Sequence, residues 1–249
     1  GVGIARREDR YFQTNIIDFS ETKHDKSTYS IFGGSIVLEG STLNARQFAT
    51  QGSREKMAAQ IFTGTEHFRS GASKVTKDTP EPYKKVQSWL QVSYQNETYH
   101  KVSPKFTLGA YLEAYYSSRN FSNNYTATLM QAGEFTPTAH SKVTYNEAFR
   151  ANQYAGVGAM PIYQLSESFQ LRGEFYGFVP IFPIKKDEYG QAYYGKAFTK
   201  FEYLGEISLV FQLSFGSISA YVNHYSSPSN DWNVGLTLGW QLFNSRFIE

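Results

Sequence analysis

The feature that most constrains this chain is a two-residue alternation near its C-terminus, in "DWNVGLTLGWQLF". Trp232, Val234, Leu236, Leu238, Trp240 and Leu242 alternate with Asn233, Gly235, Thr237, Gly239 and Gln241. Successive side chains of a strand point to opposite faces, so this segment is a strand with one apolar face and one small, polar face. The pattern recurs upstream. In "GSISAYVNHY", Ile218, Ala220 and Val222 oppose Ser217, Ser219, Tyr221 and Asn223. In "KFEYLGEISLVFQLS", Phe201, Tyr203, Ile207, Leu209, Phe211 and Leu213 oppose Glu202, Glu206, Ser208, Gln212 and Ser214. Two carboxylates on one face of a central strand are costly in a dry core, so that face is expected to line water.

Further strands follow from the same count. "FQLRGEFYGFV" sets Phe169, Leu171, Phe175 and Val179 against Gln170, Arg172 and Glu174, and "KFTLGAYLEAYY" sets Phe106, Leu108, Ala110 and Leu112 against Thr107, Tyr111 and Glu113. Segments 154–165, 87–96, 56–64 and 30–40 alternate less cleanly, and a strand at 1–5 opens the chain. The total is about ten strands and no helix. Tight links at 166–168 and 214–216 alternate with long ones at 9–28, 68–83, 118–152 and 182–199. Short turns at one end and long loops at the other are the layout of a transmembrane β-barrel. In a soluble sandwich the apolar rows would face inward and the exterior would carry the charges. Here the apolar rows are long, aromatic-ended and nearly free of charge, with Trp232 and Trp240 placed as interfacial girdle residues. The expected fold class is therefore all-β, an antiparallel transmembrane barrel.

Composition narrows the function by exclusion. A net charge of +2 carries no argument for a nucleic-acid partner, and the absence of cysteine rules out disulfides and thiolate metal sites. No apolar run is long enough for a transmembrane helix, and mean hydropathy is −0.45. The N-terminal "GVGIARREDR" has no apolar core of a signal peptide, which is expected to be missing or removed. Neither a Gly-x-Ser-x-Gly nor a phosphate-cradling loop is present: "FGGSIVLEGS" has glycines, but it runs into a strand. His24, His67, His100, His140 and His224 are scattered over loops and strand ends, as solvated imidazoles would be. No catalytic residue, cofactor or metal is expected.

Several motifs carry a family likeness. "STLNARQFATQGSREKMAAQ" (residues 41–60), with Asn44, Phe48, Thr50 and Gly52, resembles the periplasmic hairpin of the BamA/TamA superfamily of outer-membrane barrels. "EAFRANQY" (147–154) ends the long loop where that superfamily has Val-Arg-Gly-Phe; Arg150 keeps the charge, while Ala151 and Asn152 replace the glycine and phenylalanine. Five strands follow that loop, as in sixteen-stranded members. "EDRYFQTN", "TLNARQFATQG", "HSKVTYNEAFRANQY" and "QAYYGKAF" together resemble the C-terminal barrel of patatin-like phospholipases of the Bacteroidota outer membrane. "NVGLTLGW", with Asn233, Gly235, Leu238 and Trp240, resembles the C-terminal signal read by the barrel-assembly machinery, although the chain runs on through "NSRFIE".

The resemblance covers the whole of residues 1–249 and implies the last ten of sixteen strands. It implies a non-catalytic barrel in the outer membrane of a Gram-negative bacterium, anchoring and presenting an upstream patatin-like lipid acyl hydrolase. Its implied partners are outer-membrane lipids and, during biogenesis, the assembly machinery; a homodimer is compatible with it. The family also folds its loop arginine into the barrel, against an acidic residue on the next-but-one strand. Here that strand is 169–179, and its inward row by alternation is Gln170, Arg172, Glu174 and Tyr176, so the implied lumen pair is Arg150 with Glu174. Two other readings stay open: a BamA/TamA-type assembly or translocation barrel, and a soluble β-rich ligand-binding module.

Overall fold

A computed structural model describes residues 1–12, 24–71, 82–227 and 232–240. Its strands are β1 (Val2–Tyr11), β2 (Asp25–Ser41), β3 (Gly52–Arg69), β4 (Tyr83–Lys101), β5 (Phe106–Ser117), β6 (Gly133–Glu134), β7 (Arg150–Ala151), β8 (Gln153–Gln164), β9 (Phe169–Pro180), β10 (Ile184–Lys186), β11 (Ala192–Tyr194), β12 (Glu202–Leu213), β13 (Gly216–Tyr225) and β14 (Trp232–Trp240). Ten of them form one antiparallel sheet in the order β1-β2-β3-β4-β5-β8-β9-β12-β13-β14. Sheet neighbours are thus also neighbours in sequence once the small elements of the loops are set aside. The expected ten strands are present, and they run as a meander. Leu242, the "NSRFIE" tail and the Trp240 side chain lie outside the described residues.

Two expectations change. The loops expected at 9–28 and 68–83 are partly strand: β1 continues to Tyr11, β2 already begins at Asp25, and Asp9 lies opposite Ser27 in the ladder. In the β1 and β2 extensions both faces are largely polar, which hides the period that apolar rows reveal elsewhere. There is also a helix, α1 (Tyr125–Gln131), whose N-cap Asn124 accepts a hydrogen bond from Ala127 N at 2.8 Å. Its 7 residues are too few to show a helical period. A small β10–β11 ladder likewise folds within the expected 182–199 loop.

The sheet is strongly curled. Ser217 on β13 lies 3.1 Å from Gln47 in the turn between β2 and β3. At about 4.8 Å per strand, a flat sheet would hold β3 and β13 roughly 29 Å apart. Among the described residues β1 and β14 are the two edges, and they do not pair with each other.

The burial pattern is inverted with respect to a water-soluble fold. On β14 the apolar row points away from the protein, with Val234 82%, Leu236 80% and Leu238 79% exposed. Phe175, Phe201, Tyr203, Ile207 and Leu209 are exposed as well. The polar rows are the buried ones, including Gln170, Glu206, Ser208, Ser219 and Asn223.

Candidate functional site

The inner face of the sheet is filled by two segments of the chain itself, and they carry most of the polar chemistry. The first is the turn between β2 and β3. The Asn44 side chain accepts from Thr50 N at 3.0 Å and Gln51 N at 3.1 Å, and its Nδ2 donates to Thr50 Oγ1 at 3.0 Å. This short side chain thereby closes the turn as a backbone group would. Gly52 is required where the turn re-enters β3: its φ is +90, and a Cβ there would sit 2.2 Å from the Thr42 carbonyl oxygen. Phe48 also adopts a positive φ, 53°, turning its carbonyl outward to accept from Gln170 Nε2 and Gln212 Nε2, each at 3.2 Å. The structure therefore gathers Asn44, Phe48, Thr50 and Gly52 into one knot and presses it against β9 and β12.

The second segment is the loop at 118–152, which folds onto the inner face and spans it. At one side Asn124 Nδ2 donates to the Tyr11 hydroxyl at 3.1 Å and Gln131 Nε2 to Asp9 Oδ2 at 2.7 Å, both on β1. At the other, His140 Nδ1 lies 2.6 Å from Glu206 Oε1 on β12. In between, Phe135 inserts among Tyr111, Tyr154, Tyr176 and Phe178. Gly156 makes room for it, since a Cβ there would lie 2.1 Å from the Phe135 ring.

The expectation of a water-lined polar face fails here. Glu174 is 6% exposed, Glu206 2% and Arg172 3%; Glu174 pairs with Arg172, and Glu206 meets the His140 ring. The expected Arg150–Glu174 pair is not formed either. Arg150 does fold onto the inner face, but its Nη2 meets Glu134 at 2.6 Å, because the β6–β7 ladder sets Glu134 directly opposite it. Glu174 is taken by Arg172 Nε, two residues away on the same face of β9, and by the Tyr176 hydroxyl at 3.0 Å. Each charge found a nearer partner than the one implied. Arg172 completes its shell with Ala49 O at 2.8 Å and the Tyr99 hydroxyl at 2.7 Å, tying the first turn to β9.

His140 is a second correction. Far from being a solvated imidazole, it is buried, paired with Glu206 and stacked on Tyr221 with ring centroids 3.5 Å apart. Gly235 lies opposite Tyr221 in the ladder, and a Cβ there would fall 2.6 Å from the tyrosine ring. A histidine in a long polar loop gives no local sign that a carboxylate 66 positions later will meet it.

The remaining C-terminal residues are accounted for. Asn233 Nδ2 donates to Asn223 Oδ1 at 3.3 Å, Leu238 faces outward, and Trp240 pairs with Gly216 in the ladder. Around Arg150 the Tyr145 ring packs 4.5 Å from the guanidinium. Comparison of the chain with family models, with curated proteins and with solved structures gave no match in any of the three.

Proposed function

We propose that this chain is an outer-membrane β-barrel region, without catalysis of its own, that anchors and presents a patatin-like lipid acyl hydrolase domain. The observation that carries the membrane part is the inverted burial: apolar outward rows on β9, β12 and β14 over polar inward ones. In water such a surface would associate through its large apolar patches; in a bilayer it is the required arrangement. The exposed backbone edges of β1 and β14 cannot face hydrocarbon. We assign their completion to further strands of the parent polypeptide. The hydrolase rests on the family resemblance of the motifs.

The test has two parts. With Trp232 as sole tryptophan (W89F/W240F), its fluorescence should be quenched by brominated acyl chains in vesicles, and the folded protein should run anomalously on an unheated gel. A monomer soluble without detergent and insensitive to the bromines would overturn the membrane reading. For the anchor role, the parent's coding sequence should place a Gly-x-Ser-x-Gly after a strand upstream of the barrel. A series of POTRA repeats there instead would favour an assembly barrel, working through a seam between the first and last strands of the complete barrel.

A further inference from the structure

Between the 118–152 loop and the inner face of β1 to β4 lies a cavity of about 460 Å³. Its lining is unbalanced in charge: Arg7, Arg119 and Arg150 face it, with Glu134 the one carboxylate among the lining residues. Glu134 already pairs with Arg150, and Arg7 pairs with Asp9 at 2.7 Å. Arg119 has no carboxylate within ion-pair distance among the described residues, although it is only 6% exposed. Its Nη1 donates to Gln131 Oε1 at 2.9 Å, and its guanidinium lies over the Trp89 and Tyr29 rings at 4.5 and 5.2 Å. Neither contact supplies a counter-charge; the buried Glu66, which accepts from the Tyr29 hydroxyl, acts on Arg119 only from beyond ion-pair distance, and burial pulls the Arg119 pKa below the ordinary arginine value.

Three buried N–H donors among the lining residues meet no acceptor: Arg119 Nε, Arg150 Nε and Trp89 Nε1. Buried donors are satisfied in nearly every native structure, so the walls of this cavity are short of acceptors. The same cavity has an apolar wall, with Ile31 and Phe62 beside Trp89. Its volume lies at the lower end of the roughly 300–1,000 Å³ usual for small-molecule sites.

We propose that this cavity binds a single-chain amphipathic anion, a carboxylate on a short apolar tail, with Arg119 as its counter-ion and Ile31 and Phe62 against the tail. A guanidinium with no carboxylate in direct contact matches a monoanion, to which it presents its N–H groups in matching geometry. The site belongs wholly to the inner face, so the proposal does not rest on the membrane reading or on an upstream hydrolase.

The experiment titrates decanoate into the full chain in non-ionic micelles. The W232F/W240F background leaves Trp89 as the reporter. Decanoate should give a saturable change, and methyl decanoate, equally apolar but uncharged, should bind at least tenfold more weakly. R119Q should weaken decanoate tenfold or more. R119K, which keeps the charge, should fall between the two. Should R119Q fail to fold, R119K and the acid-to-ester ratio decide the matter. Equal affinity for acid and ester, retention of affinity in R119Q, or saturable binding of inorganic phosphate in place of decanoate would each overturn the proposal.

Discussion

Arg172 is the cation on which the inner face turns, and removing it tests the account most directly. In R172M the guanidinium leaves four groups behind: the Glu174 carboxylate, Ala49 O, the Tyr99 hydroxyl and the Met160 sulfur. Among the described residues Glu174 then keeps only the Tyr176 hydroxyl as donor, while remaining buried. Breaking a buried pair from one side costs about 3–5 kcal/mol, because the surviving charge is stranded. E174M strands Arg172 in the same way, although Ala49 O and the Tyr99 hydroxyl still accept from it, so it should fall toward the lower part of that range. R172M/E174M removes both charges and should cost less than the sum of the singles by about 2 kcal/mol or more, a coupling within the range seen for contacting residues. Urea unfolding of the full chain in neutral micelles, followed by tryptophan fluorescence, measures all three. A second readout is local: the turn held by Arg172 carries an exposed Arg46, so trypsin should cut there faster in R172M. Additivity of the two substitutions to within about 0.5 kcal/mol, or unchanged cleavage at Arg46, would refute the reasoning.

Three other outcomes are expected. Leu209→Arg, in the outward row of β12, should destabilise the protein by about 2–4 kcal/mol in vesicles, as an arginine at bilayer mid-depth does; a change under about 0.5 kcal/mol would contradict the outward row as a lipid contact. Gly156→Ala drives a Cβ to within 2.1 Å of the Phe135 ring, and overpacking of this kind costs about 1–3 kcal/mol, read as an earlier urea midpoint with unchanged slope. Asn44→Ala removes three hydrogen bonds from the first turn and should cost about 1–3 kcal/mol, with faster cleavage at Arg46 while β14 keeps its protection from hydrogen exchange.

What could be read from the sequence was whatever has a period of two. β9, β12, β13 and β14 each carry apolar side chains on one face, and their outward rows are the ones alternation names. Asn44, Thr50 and Gly52 were named by resemblance alone, and the structure finds them in a turn sealed by an Asx side chain and a positive-φ glycine. Partnership was not legible. Arg150 found Glu134 through a two-residue ladder inside its own loop, and Arg172 found Glu174 two positions away, where alternation already places both on one face. The pair implied by resemblance passed over these nearer partners. The dryness of the inner face was missed for a related reason: alternation shows that Glu206 faces inward, but nothing in its strand shows that a loop histidine will arrive to cover it.

The loop at 118–152 is tied to β1 through Tyr11 and Asp9 and to β12 through Glu206, and this has a consequence for the order of folding. A plain meander can grow hairpin by hairpin, each new strand adding to the last. Here the loop docks against the first strand of the sheet across a separation of 113 residues, and the contact that seats His140 waits for a strand made 66 residues later. Such distant closures are slow, since chain entropy is lost before the contact is gained. The last strands therefore do more than extend the sheet: until β12 and β13 arrive, the loop has one shore and no other, and the inner face stays open to water.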